Sequence, residues 1–373
     1  MRVLHIITGL HAGGAEQQLR LLCSHLTVDN EVAVLTNPGV MAEAIRAEGT
    51  VVHHVGMAGN RDLRALWRLV RLVRRGGYDC VHTHLFRAGL YGRLAARLAG
   101  VPMILATEHS LSEHVIEGRS TANPGVRLLY RFAERLGGHT VAVSAAARAA
   151  MVGLGVSADR ISVVPNGVDP DEFSFRPDVR RRIRESLGIP AEAYLVGGVG
   201  RFVPGKRFEV LIEALAARPG VWGLLVGDGP VFTELTDLLE RRGIRERVVL
   251  TGERMDVPAL LMAMDLFVSP SPEETYGLAI VEALAAGLPV VYAACPALQE
   301  IPTSAAAGAY RVESSVEAVG CAIDRARIDP AGDRAQPPAV RSYDIRDIAT
   351  RLDQLYRAKQ SRADVADHSP TLG

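Results

Sequence analysis

The sequence predicts an α/β protein of two doubly wound domains, each a parallel sheet with helices on both faces. Three observations carry that expectation. Short β-branched runs alternate with amphipathic stretches along most of the chain, the pattern of strand–helix–strand units. A stretch rich in Pro, Asn, Gly and Asp, VVPNGVDPDEFSF (163–175), divides that series and reads as a linker. The chain has 373 residues, 48% of them hydrophobic, enough for two buried cores.

Taken in order, the strands of the first half fall at 3–8, 31–36, 79–83, 103–107 and 140–144, with helices at 15–26 and 88–100. Those of the second half fall at 194–200, 223–229, 247–252, 265–271 and 288–293, with helices at 207–217 and from about Gly277 to Ala286. A last helix covers 342–359. The expected domains are 1–168 and 169–341, the helix 342–359 packing back toward the first domain and 360–373 forming a flexible tail. Open parallel sheets take ligands at the carboxyl ends of their strands, so a central cleft faced by both domains is the expected site.

Lys plus Arg and Asp plus Glu each number 42, and this zero net charge speaks against a general nucleic-acid binder. Residues 1–168 carry 18 basic against 12 acidic side chains, so the first half is the one expected to meet an anionic partner or surface. Cys23, Cys80, Cys295 and Cys321 are scattered without zinc or CxxC spacing, which points to reduced thiols in a cytoplasmic setting. The opening MRVLHIITGL is short for a signal peptide, and no apolar run reaches the ~18–20 residues of a membrane span. The basic amphipathic stretch 61–75 reads first as the wet face of a sheet-covering helix. Peripheral contact with anionic lipid at the inner face of the membrane is its second reading.

Several constellations carry chemistry. HAGGAEQQL (11–19) follows the first strand and opens a helix, where Gly13 and Gly14 allow close approach and free N–H groups face an anion. Its glycines do not space as a dinucleotide fingerprint, and an ordinary turn explains them equally well. In VGRFVPGKRF (199–208), Arg201 and Lys206 bracket a short turn and suit a diphosphate. Lys206 is one of only two lysines beside 40 arginines, which sets it apart from an ordinary surface charge. VGDGP (226–230) reads as a tight strand-to-helix turn. In SPEETYGLAIVEALAAG (271–287) one glutamate, Glu274, precedes an apolar helix and another, Glu282, lies inside it. Eight helical steps would separate the pair by about 12 Å, too far to share a proton but suited to an elongated ligand whose phosphate meets the helix start at Gly277 and Leu278. His109 follows a strand, as His82 and His84 end one, and each is as well placed to be structural as to touch a sugar or phosphate.

Together these residues resemble the retaining glycosyltransferases of family 4, whose fold is GT-B, two Rossmann-like domains. The most specific piece is E-x7-E, Glu274 to Glu282, followed by ALAAGLPVV. GGAE, VVPNGVD, GRFVPGK, VGDGP and the SPS strand end support it in order and spacing. The resemblance implies transfer of a sugar from a nucleoside diphosphate sugar to an acceptor hydroxyl, with no metal or other cofactor, in polysaccharide, glycolipid or natural-product glycoside synthesis. UDP is the expected nucleotide, and the acceptor a sugar, a lipid-linked sugar or a small molecule. It makes Arg201 and Lys206 the diphosphate pair, Glu274 the acid near the donor sugar and Glu282 the ribose-binding acid. Gly13 and Gly14 would meet the phosphates, His109 the donor sugar, Arg254 and Met255 the base, and Glu16 the acceptor side. One departure stands out: ACPALQE (294–300) lacks the glycine pair expected before Glu300. The rival readings are a nucleotide-sugar 2-epimerase and a non-catalytic nucleotide-sugar-binding subunit.

Overall fold

Packing divides the chain into two units, Met1–Gly167 with the segment from Ile345 onward, and Val168–Asp344. The structure, a computed structural model, describes residues 1–111, 115–116, 119–328 and 334–367.

The first unit holds a parallel sheet of seven strands. Its strands are β1 (Arg2–Ile7), β2 (Asp29–Val34), β3 (Val51–His54), β4 (Cys80–His84) and β5 (Met103–Glu108), followed after a short antiparallel pair, β6 (Val115–Ile116) and β7 (Arg119–Ser120), by β8 (His139–Ala142) and β9 (Ile161–Val163). The spatial order is β3-β2-β1-β4-β5-β8-β9, which reverses direction between β1 and β4. Strands β3 and β9, unmarked in the sequence, lie at the edges. β9 is only three residues long, too short to show alternation. It also claims Val163 from the expected linker, whose Asp169 accepts from the N–H of Asp171 and caps a short helix, Pro170–Phe173.

The helix that closes the chain spans Ile345–Asp367 and belongs to this unit. Its Ile345, Ile348, Ala349, Leu352 and Tyr356 pack on Val3, Cys80, Leu105 and Val141 of β1, β4, β5 and β8, and on Leu21 and Leu22 of the helix Gly14–His25. The helix runs past the end at 359 read from the sequence. Of the tail, 368–373 lie outside the described residues.

The second unit repeats the plan with six parallel strands: β10 (Tyr194–Val199), β11 (Val221–Val226), β12 (Val248–Leu250), β13 (Leu266–Ser269), β14 (Val290–Tyr292) and β15 (Ala309–Arg311). Their order is β12-β11-β10-β13-β14-β15, with the reversal between β10 and β13. One ion-pair cluster ties its underside. Asp265 accepts from Arg180 at 2.6 Å, from Arg184 at 2.7 Å and from the N–H of Leu195 at 2.8 Å. Arg184 is almost fully buried, so its charge relies on Asp265 and on the carbonyls of Ala191, Ala193 and Ala263.

In a doubly wound sheet the strand ends at the reversal splay apart and leave a crevice for ligand. The reversals therefore single out the loops after β1 and β4 in the first unit and after β10 and β13 in the second.

Candidate functional site

The loop after β10 carries Arg201 and Lys206. It is zipped to the turn after β11: the N–H of Gly200 donates to Val226 O at 3.0 Å and that of Phe202 to Asp228 O at 2.8 Å. This requires glycine across the gap, since a Cβ on Gly227 would sit 1.9 Å from Gly200 O and one on Gly229 2.3 Å from Phe202 O. VGDGP is thus a tight turn that clamps its neighbour. Phe202 anchors the loop from below against Phe208 and Phe232, and is itself fully buried. Between these anchors Arg201 stands exposed, with no side-chain partner among the described residues.

Lys206 ends a single turn of 3-10 helix, Pro204–Lys206, and reaches into the loop after β13. Its Nζ donates to both carboxylate oxygens of Glu274, at 2.6 and 2.8 Å. Both side chains are largely covered, which strengthens the pair over an exposed one. The Oγ of Ser271 donates to Glu273 O and to Gly205 O, joining the two loops a second time.

Gly277, at φ 97°, starts the helix Leu278–Ala285 and offers no side-chain cap. The leading N–H groups are left for a ligand or solvent. A Cβ on Gly277 would lie 2.5 Å from Cys295 Sγ. The segment that departs from the family pattern therefore buttresses this corner: Cys295 fills the space beneath Gly277, and the N–H of Ala297 donates to Tyr276 O at 3.0 Å.

Because the helix begins only at Leu278, the residues just after Glu274 are a turn. The eight-step helical ruler for Glu274 and Glu282 is corrected accordingly: it holds from Leu278 onward, and the 12 Å rise does not describe the pair. Glu282 itself sits on the helix, half-buried. Burial, and then the charge of Glu172, push its carboxyl up to about 7. Arg254, expected near a nucleotide base, binds Asp256 with two hydrogen bonds at 2.7 and 2.6 Å, while Met255 is exposed.

In the first unit, Gly13 caps the helix Gly14–His25 without a side chain. Its missing Cβ matters, since one built there would lie 2.3 Å from Glu16 Oε2. Glu16 thus folds back over the start of its own helix. His109, just past β5, is half-buried, and its Nε2 meets His84 Nδ1 at 3.1 Å. Burial lowers its pKa to about 4, opposed by the side chain of Asn166, so the ring is neutral at pH 7. β4 is followed by Leu85, at φ 72°, a strained conformation at the sheet's point of reversal. Sequence reasoning missed Asn166, absorbed into the linker, and His5, hidden inside an apolar strand.

Two doubly wound parallel sheets, the first with a glycine turn after β1 and the second with a cationic loop whose Lys206 holds Glu274, define a protein built of two Rossmann-like units. Comparison with known proteins narrows this. The model of Glycosyltransferase Family 4 matches residues 12–172 and that of Glycosyl transferases group 1 matches 179–337. The chain belongs to the family 4 glycosyltransferases of GT-B fold. It is 33% identical over 252 residues to the UDP-Gal:alpha-D-GlcNAc-diphosphoundecaprenol alpha-1,3-galactosyltransferase of Escherichia coli, a match covering 62% of each chain. It is 34% identical over 241 residues to the 2-deoxystreptamine glucosyltransferase of Streptomyces kanamyceticus, covering 61% of this chain and 62% of that one. The match thus spans under two thirds of these curated relatives. Among solved structures, HepE of Anabaena in complex with UDP and glucose superposes with a TM-score of 0.82 at 23% identity, over 96% of this chain and all of that one.

Proposed function

We propose that this protein transfers a hexose from a nucleoside diphosphate sugar to an acceptor hydroxyl, with retention of anomeric configuration and without a metal. The observation that carries the reading is the Lys206–Glu274 pair beside the exposed Arg201, at the carboxyl edge of the second sheet. Breaking the anomeric C–O bond puts negative charge on the diphosphate and positive character on the sugar carbon. Arg201, Lys206 and the start of the helix at Leu278 supply fixed positive charge for the first. Lys206 also orients Glu274, whose carboxylate balances the second.

Glu282 takes the ribose hydroxyls, and His109, neutral, meets the donor sugar. Gly13 and Gly14 give the phosphates a close backbone approach, and Glu16 stands on the acceptor side. No second carboxylate is assigned as nucleophile. The reading is a front-side attack in which a leaving phosphate oxygen takes the acceptor's proton. UDP is the proposed nucleotide, supported by the galactosyltransferase relative that uses UDP-Gal and by HepE, which was solved with UDP.

The test is direct. UDP-, GDP-, ADP- and dTDP-sugars are screened by thermal shift, and a bound donor raises Tm by mass action. With the preferred donor, Lys206→Ala is expected to lower kcat by about 10²–10³-fold, the range typical of removing one charge-stabilising group. Full turnover in that variant, or no thermal response to any donor, overturns the reading.

A lipid-linked acceptor is supported by one further feature. The helix Leu63–Gly76 buries Ala65, Leu66, Leu69, Val70 and Val73, yet leaves Leu63 68% and Trp67 52% exposed beside Arg71 and Arg75. An aromatic ring among arginines suits an anionic bilayer surface. Arg68 is already committed to Val55 O and Gly56 O. Sedimentation with anionic vesicles should therefore fall for Trp67→Ala and Arg71→Glu. Absence of vesicle binding by the wild type removes the membrane reading.

A further inference from the structure

Three helices lie side by side on one face of the first sheet: Leu63–Gly76, Phe86–Ala99 and Pro124–Leu136. Leu66 and Leu69 of the first and Ala88 and Ala95 of the second share one buried cluster with Leu4 of β1 and Ile104 of β5. The third is anchored to the second. Its Tyr130 stacks on Phe86, and its Glu134 pairs with the buried Arg93. Arginines also tie the helix ends together: Arg74 donates to Leu98 O at 2.6 Å, and Arg97 to Leu136 O at 2.9 Å. The three helices thus form one layer.

The third helix is apolar on two sides. Tyr130 and Ala133 are buried against the rest of the unit. Leu128, Leu129 and Phe132, at i, i+1 and i+4, form an outward stripe that is 70%, 40% and 50% exposed. A surface helix ordinarily turns polar residues outward, and one that is apolar all round has a second apolar surface to meet. Three large side chains left in water within about one turn mark a docking site.

Charge says what docks there. The three helices carry eleven arginines, no lysine and one acid, Glu134, which is buried. The whole chain has 42 basic and 42 acidic side chains, so this bias belongs to the layer. The stripe is interleaved with Arg127, Arg131 and Arg135, of which Arg127 and Arg135 have no side-chain partner among the described residues. Apolar side chains between unpaired guanidinium groups fit a surface that is anionic outside and apolar beneath. The arginine stems lie along apolar matter while their heads stay with phosphate. A polyanion with no apolar layer would leave the stripe in water.

We propose that the helix Pro124–Leu136 inserts Leu128, Leu129 and Phe132 into the interface of an anionic bilayer, with Arg127 and Arg135 on lipid phosphates. Such side chains reach about 5–10 Å into the boundary between headgroups and acyl chains. This rests on the membrane reading of the helix Leu63–Gly76 and extends it. The exposed Leu63 and Trp67 belong to the same layer, so the docking surface is a face of the first unit and not a single helix.

A second copy of this chain is the competing occupant. The arginines argue against it. A two-fold interface brings the same patch of both copies together, which here would set cations against cations with no exposed acid on these helices to balance them.

The test is sedimentation of the full chain with vesicles, joined to fluorescence quenching. Vesicles of phosphatidylglycerol mixed with phosphatidylcholine should carry the protein down, and phosphatidylcholine alone should do so at least about tenfold less well. Leu128→Ser with Phe132→Ser should weaken binding by at least about tenfold, as should Arg127→Glu with Arg135→Glu, with Tm in buffer unchanged because these side chains face solvent. A chain with Trp67→Phe and Phe132→Trp should be quenched by lipids brominated in the acyl chain, beyond the quenching of Trp67→Phe alone. Wild-type binding without quenching at position 132, or binding kept in full by Leu128→Ser with Phe132→Ser, overturns the proposal and leaves the reading of Leu63–Gly76 standing. Concentration-dependent dimers in light scattering that the same pair abolishes overturn it in favour of a second copy. A wild type that never sediments removes both membrane readings and leaves the sugar transfer untouched.

Discussion

Glu282, proposed above as the ribose-binding acid, occupies a position that disfavours its charge. Its carboxyl titrates near 7 in the folded protein against an ordinary 4.5 because burial and Glu172 both disfavour its charge. Below pH 4.5 the group is neutral in both states and costs nothing. Between 4.5 and 7 the unfolded chain ionises first, so the folded state loses stability as pH rises, and above 7 the loss is constant. A shift of this size corresponds to about 3 kcal/mol. Glu282→Gln is therefore expected to raise Tm at pH 8 and to leave it unchanged at pH 4, in thermal unfolding followed by circular dichroism. The same substitution should weaken donor binding at pH 8, because a carboxylate is the stronger acceptor for ribose hydroxyls. Equal stabilisation at both pH values would show that Glu282 titrates as an ordinary carboxyl. The presence of two glutamates eight apart was legible in the sequence. The pairing of Glu274 with Lys206 was not, because 68 residues separate them and only the β10–β13 adjacency brings their loops together.

At the scale of elements, the turns hold the site as firmly as the strands. Gly277 has a positive φ and no room for a Cβ against Cys295 Sγ. Gly277→Ala should cost about 1–3 kcal/mol in urea unfolding, from backbone strain and the clash together. Against a Cys295→Gly background the clash disappears and only the strain remains, so the cost should shrink by at least about 0.5 kcal/mol. Identical costs in the two backgrounds would mean that Cys295 is not the buttress. The glycines of VGDGP were visible in sequence as a turn, but their reason, the backbone of Gly200 and Phe202 pressed against them, was not. Helix starts and strand cores came through because periodicity is local. Edge strands β3, β9 and β15 did not, being short and carrying exposed or polar positions.

For the whole molecule, each unit has its own core, and the second is tied by the ion-pair cluster at Asp265. Asp265→Ala leaves Arg184 buried without its carboxylate and should destabilise the second unit by about 3–5 kcal/mol. Calorimetry should show that loss in one transition, with the transition of the first unit unmoved. A uniform drop in both would mean that the units unfold as one. The sequence by itself determined the alternation of strands and helices, the division near 168 and the order of the motif residues, because hydrophobic period, glycine turns and local charge are written within a few residues. Only the tertiary structure decided that Lys206 holds Glu274 and that His5, His84 and His109 lie in contact on one face of the first sheet. Each of those depends on which strands lie side by side. That choice is made by burying whole faces of a sheet at once, and no local stretch of chain carries it.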